Sequence, residues 1–316
     1  MKKTFIILML FLAVLGCDQN PSTQKIRIAT LKGPSAMGIV KMIDSLNQNK
    51  NSNIEITIHN EPIQVRKLML GNEVDLALLP TTMAAILYNK KVDYKLVAIP
   101  VWGTLYLFGN DTTINTWDDL RGKEINLMAK GMTPDVLFKH LLIKNNIDPN
   151  NDVKLDYSFP THIDLANSVA AGKANLAVIS EPLVSLVMQK NKEVRPIFNL
   201  SDEWEKVHKN IPIAQTALLV NSDFATNKPE KLNEILSSYK NSTNWVNQNS
   251  AEAANLIVKY KILPNIEVAE SSIPRSNLNF VEAKDIKNQI YDYLQIFYNL
   301  NPDIIGGKIP DKDFIY

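Results

Sequence analysis

From residue 25 onward, short runs rich in β-branched residues alternate with segments whose apolar positions recur at helical spacing. Ile26-Arg27-Ile28-Ala29-Thr30 reads as a strand, Gly33-Pro34 as a turn, and Met37, Val40 and Ile43 as the apolar stripe of a helix over 35–47. The pattern repeats with strands at 54–59 and 75–79, helices at 63–71 and 82–89, and a further strand at 94–100. It restarts beyond Val101, with a second α/β unit beginning near residue 106. Strands are expected at 124–128, 154–157 and 176–179. The helices between and after them fall beyond Pro134 and at 161–171 and 182–189. A strand within 215–221 and helices at 229–247, 251–260 and 284–299 complete the chain. Strands alternating with helices predict an α/β fold with largely parallel sheets.

The two halves echo each other. "GNEVDLALLPTTMAAIL" from Gly71 and "GKANLAVISEPLVSLV" from Gly172 both run glycine, polar step, Leu-Ala, two apolar residues, a loop with proline, and a helix. Such a match predicts equivalent places in two architectures, not a shared origin. The chain is expected to cross from one lobe to the other near 101–106 and to return near 214–216. That gives lobe 1 as 25–104 plus 216–316, lobe 2 as 105–215, a two-segment hinge and an interlobe cleft.

Composition narrows the function classes. The 316 residues are 45% hydrophobic and 21% charged, as in a globular protein with a sizeable core. A net charge of +1 gives no reason to expect nucleic acid. His59, His140, His162 and His208 are scattered, and no metal or cofactor is expected. "GPSAMG" has phosphate-loop glycine spacing, but Ile39-Val40 stands where lysine and a hydroxyl are required, so nucleotide hydrolysis is excluded there.

The N-terminus has its own pattern. Lys2 and Lys3 precede an apolar run of 12 residues, Phe5 to Gly16, short of the roughly 20 that a spanning helix needs. Val14-Leu15-Gly16-Cys17 resembles the bacterial lipobox. The expectation is a signal peptide over 1–16, a lipid on Cys17 and a polar tether to residue 24, so that the protein is exported and held to the cell membrane.

"ATLKGPSAMG", "GNEVDLALLPTTMAA" and "TWDDLRGKEINLMAKGMTPDVLF" occur in that order after the lipobox. With the C-terminal "FATNKPEKLNEILSSYKNSTNWVNQNSAEAANLIVKY", they make the chain resemble the substrate-binding lipoproteins of ABC importers. The nearest group is the nitrate, taurine, sulfonate and thiamine-precursor one, among type II periplasmic binding proteins. The resemblance implies a monomer that closes on a small-molecule ligand between two lobes and delivers it to a permease and its ATPase.

In open α/β sheets ligands sit beyond the carboxyl ends of the strands, where loops run into helix N-termini. In lobe 1 that nominates Lys32, Gly33, Pro34, Ser35, Ala36, Met37, Glu61, Pro80, Thr81 and Thr82. Trp102, placed to stack on a planar ligand, and Gly103 sit at the first crossing; Gln215 and Thr216 sit at the return. Lobe 2 offers Gly131, Met132, Thr133, Ser180 and Glu181, the last suited to an amine or a ring N–H. No arginine falls among these loops; the cations are Lys32 and Lys130. Amides and hydroxyls alone can still hold an anion, so both an anionic and a neutral heteroaromatic ligand stay open. Two other functions fit the same fold. One is an enzyme resembling menaquinone-pathway lyases, with Glu61 or Glu181 as acid or base; the other is a ligand-sensing lipoprotein. A pyrimidine-precursor synthase would need cysteines, and none follows Cys17.

Overall fold

The computed structural model describes residues 25–316; the leader, Cys17 and the tether lie outside them. Eleven strands are found there: β1 (Ile26–Leu31), β2 (Ile54–His59), β3 (Leu76–Pro80), β4 (Tyr94–Val101), β5 (Leu105–Gly109), β6 (Glu124–Asn126), β7 (Lys154–Asp156), β8 (Leu176–Ser180), β9 (Arg195–Asn199), β10 (Thr216–Asn221) and β11 (Leu278–Glu282). They form two sheets, in the orders β2-β1-β3-β10-β4-β11 and β7-β6-β8-β5-β9.

The sheets are mixed, not largely parallel. β1 pairs parallel with β2 and β3, and β6 parallel with β7 and β8. β10 runs antiparallel to β3 and β4, and β5 antiparallel to β8 and β9. β5 and β10 are the strands that follow the two crossings. Each enters its sheet from the other side and wedges against the last strand of a parallel run. The echoed segments of the sequence, β3 and β8, are the strands that receive these wedges.

Central strands are apolar on both faces because helices cover both sides. Leu76, Leu78 and Leu79 of β3 and Leu218 of β10 are buried, as are Leu107 and Phe108 of β5. Some elements have weak sequence signals. The helix expected over 35–47 is two pieces, Pro34–Gly38 and Val40–Gln48, broken at Ile39. Ser242 and Thr243, on the helix Pro229–Gln248, explain the break. Their hydroxyls donate to the Gly38 carbonyl at 2.8 and 3.3 Å, and Ser242 Oγ accepts from the amides of Lys41 and Met42. The backbone groups freed by the break are therefore partnered. β9, β11 and the helix Leu200–Val207 are not among the elements expected from the sequence.

One side of the gap between the sheets is filled. Trp204, on Leu200–Val207, stacks on Phe297 of the C-terminal helix Lys287–Leu300 with centroids 6.0 Å apart. A continuous apolar core there includes Leu79 from the first sheet and Leu107 from the second. The opposite side is open.

Candidate ligand-binding cleft

The open side is a cleft of about 780 Å³. Its walls come from both sheets: Leu31 to Ser35, Asn60 to Pro62 and Pro80 from the first, Thr161 to Ile163 and Ser180 to Leu183 from the second. The segment from Val258 to Pro264 closes one end, and Gln215 and Thr216 form part of the floor. Apolar side chains such as Val101, Leu186 and Ile262 make up much of the surface.

Gly33 sets the depth at the β1 end. Its φ of +104° is one that side-chain-bearing residues avoid, and an added Cβ would stand 3.2 Å from Cδ of Pro182 on the other lobe. The turn thus brings bare backbone against the opposing wall. Ser35 also lines the cleft, while its carbonyl is held from behind by the Tyr239 hydroxyl at 3.0 Å.

Of the other candidates, Lys32, Pro34, Glu61, Pro80, Ser180, Glu181, Gln215 and Thr216 also line the cleft. Several are already engaged. Glu61 closes a capping box: its carboxylate accepts from the Gln64 amide, and Gln64 accepts from the Glu61 amide at 3.0 Å. Gln215 ties the two crossings together, accepting from Thr104 N at 2.7 Å and donating to Thr104 Oγ1 at 2.8 Å.

Glu181 changes most against expectation. It is 2% exposed and pairs with Arg275, Nε to Oε1, at 2.5 Å. Ser185 donates to it from Oγ at 3.0 Å and from its amide at 3.2 Å. Burial pushes the Glu181 carboxyl up, and Arg275 and Ser185 pull against that shift. A ligand amine would have to displace an arginine. That arginine lies in no cleft loop of the sequence; it arrives from beyond the helix Ile266–Ser272, 94 residues from its partner.

The remaining candidates lie elsewhere. Ala36 and Met37 are fully buried in the core beneath the turn, because the short helix presents that face to Pro229–Gln248 and its neighbours. Trp102 does not line the cleft: its indole N–H donates to the Asn279 carbonyl at 2.7 Å, and the ring packs on the core. At Gly103 a Cβ would fall 2.1 Å from Ser201 Oγ, so this glycine serves close packing at the crossing. Thr81 is buried, its amide donating to the Gln215 carbonyl at 3.1 Å. Thr82 meets Thr133 across the interlobe gap, hydroxyl to hydroxyl at 2.8 Å. Gly131 and Met132 are exposed; the Gly131 amide donates to Asp135, which also holds Tyr157 and Lys139.

Two histidines correct the picture of four scattered ones. His140 and His208 stack with Nε2 atoms 2.6 Å apart, and burial, His208 and Lys144 bring the His140 pKa down to about 4. His162 lines the cleft with Nδ1 buried and unpartnered. Burial lowers its pKa, and the Glu61 carboxylate, facing it from the other lobe, opposes that. Among the described residues no three His, Cys, Asp or Glu side chains converge to hold a metal ion.

A cleft between two such sheets, entered by wedge strands from a double crossing, matches known proteins. The family described as ABC transporter, phosphonate, periplasmic substrate-binding protein matches residues 36–262. The chain belongs to this family. Membership of this periplasmic substrate-binding family implies a location outside the cytoplasm. Among the described residues no helix is long and apolar enough to cross a membrane. The binding protein YtlA of Bacillus subtilis (strain 168) is 21% identical over 187 residues, which span 57% of this chain and 56% of that protein. The structure of an ABC transporter from Parabacteroides distasonis superposes with TM-score 0.80 at 24% identity, covering 93% of this chain and 99% of that one. The periplasmic aliphatic sulphonate binding protein SsuA from Escherichia coli gives 0.73 at 17%, covering 93% and 92%. The fold is not confined to transport, since a desulfurization enzyme superposes at 0.63 with 11% identity.

Proposed function

We propose that this protein is the substrate-binding component of an ABC importer. It is exported, held to a membrane by lipid on Cys17, and captures a small molecule between lobe 1 (25–104 with 216–316) and lobe 2 (105–215). It then presents the closed lobes to a permease driven by an ATPase. One observation carries the reading: the cleft is walled by strand-end loops from both sheets. A ligand there touches both lobes and favours the closed form over the open one. The Thr104–Gln215 pair, on the two crossing segments, is the natural pivot.

An enzyme reading finds less support. Among the described residues the two cleft carboxylates are committed, Glu61 to its capping box and Glu181 to Arg275 and Ser185, so neither stands free as a general acid or base. The family's phosphonate and the Escherichia coli neighbour's sulphonate are the first ligand classes to try.

The test is to purify the protein from its own cells without stripping and to identify any small molecule released on unfolding. Returning that molecule at a hundredfold excess over its Kd should stabilise the stripped protein by about 2.7 kcal/mol. Deleting the gene should abolish uptake of the same molecule, and C17S should release the protein from the membrane fraction. Recovery of no small molecule, with no stabilisation by a metabolite extract, rejects the reading.

A further inference from the structure

Two features of the cleft wall bear on what kind of molecular body fits against it. Aromatic faces are scarce. Among the described lining residues there is no Phe, Tyr or Trp, and His162 supplies the one imidazole. A planar body therefore finds no pair of facing rings to stack between. The second feature is an aliphatic end built from both lobes. Leu183 and Leu186 stand three residues apart on the helix Leu183–Lys190 of lobe 2 and so share a face. Val258, Ile262, Leu263 and Val268 line the cleft from lobe 1. Leu186 packs against the lobe 1 core that contains Ile262, Leu263 and Val268, so the apolar wall is continuous from one lobe to the other.

Local structure fixes the end of this wall. The helix Ser250–Lys259 stops in a Schellman turn, with Lys261 at a φ of +57°. The Lys261 amide donates to the Val258 carbonyl and the Ile262 amide to the Ile257 carbonyl, both at 2.9 Å. Ile257 and Ile262 are fully buried in the same core, so the turn is anchored by packing as well as by hydrogen bonds. Leu183, Leu186 and Val258 are only partly buried, which leaves apolar surface for a ligand to cover. Covering apolar surface is favourable in proportion to its area. A cleft of about 780 Å³ has room for such a body beyond a compact polar head.

We infer that the cleft selects a small molecule with an aliphatic body, laid between Leu183 and Leu186 of lobe 2 and the turn after Val258 in lobe 1. The inference rests on the reading of the cleft as a small-molecule site, but fails separately from it. A compact molecule with no aliphatic body, recovered from the protein's own cells, would overturn the inference and leave that reading standing.

The direct test varies the body and holds the head constant. Butane-, hexane- and octane-1-sulfonate, and the three alkylamines of the same lengths, are titrated calorimetrically against the full-length protein in lipid nanodiscs, with empty nanodiscs as the blank. Whichever head binds, affinity should rise about threefold with each added methylene. Naphthalene-2-sulfonate should bind no more tightly than octane-1-sulfonate. V258F, which pushes a ring into the path of the chain, should weaken the octyl ligand about tenfold and change the butyl ligand less than about twofold. L186A, at a partly buried position that tolerates truncation, should weaken the octyl ligand about fivefold with the same sparing of the butyl one. The inference is overturned if neither series binds, if affinity stays level with chain length, if naphthalene-2-sulfonate binds tenfold tighter than octane-1-sulfonate, or if both substitutions affect butyl and octyl ligands equally.

Discussion

Pro80-Thr81-Thr82 and Ser180-Glu181-Pro182 occupy the same place in their sheets, each at the end of the strand that receives the wedge from the other lobe. Both loops reach across the gap, but with different chemistry. Thr82 offers a hydroxyl to Thr133, a neutral contact at 2.8 Å. Glu181 offers a buried carboxylate to Arg275 at 2.5 Å, with Ser185 completing the set. The first contact is cheap to make and cheap to lose. The second is costly to break on one side, because that leaves a buried charge alone.

The largest effect should follow from breaking the charged contact on one side. R275M leaves Glu181 buried and unpaired and is expected to cost about 3–5 kcal/mol by denaturant titration at neutral pH. The sign with pH is definite. Burial already raises the Glu181 pKa, and loss of Arg275 raises it further. Stability of R275M should thus be fullest in acid, where Glu181 is protonated, and fall as pH rises through the raised pKa. E181Q/R275M, which removes both charges, should recover most of the loss.

His140 and His208 give the opposite sign. With His140 held down to about 4 from an ordinary 6.5, its contribution is complete above 6.5 and lost as pH falls toward 4. The swing is about 3 kcal/mol at most, and H140Q should flatten it in a melting series over that window. A profile for the native protein that is level from pH 7 to 4 would contradict the buried pair. Smaller still is T82V, expected to cost about 1 kcal/mol, with Thr133 as its only lost partner. W102F removes one hydrogen bond to Asn279 and should also cost about 1 kcal/mol. Because Trp102 lies outside the cleft, ligand affinity should stay the same, and a tenfold loss would return the indole to the site.

These contacts mark what periodicity could and could not convey. The α/β class and the matching places of β3 and β8 were legible, since both depend on local apolar spacing. Strand direction was not. β5 and β10 run antiparallel because the chain has just crossed between lobes, and no local pattern records a crossing. The break at Ile39 depends on Ser242, some 200 residues away. Loop position nominated Gly33, Glu61 and Glu181, which line the cleft, but not which of them were already engaged. Arg275 was invisible because its loop lies outside the strand-end set. His162 was passed over as one of four isolated histidines; its place at the first turn after β7, opposite Glu61 after β2, was the available signal.

The central claim is that two lobes close on a small molecule, and a distance across the cleft tests it most directly. Lys67 and Asn167 are exposed, each on a helix that starts at the cleft, one per lobe. With C17S removing the native thiol, spin labels at K67C and N167C report the opening by pulsed electron resonance. The account predicts a broad distribution reaching longer distances in stripped protein, collapsing to one short distance when metabolite extract from the producing cell is added. A single distance, unchanged by extract that demonstrably stabilises the protein, would contradict it.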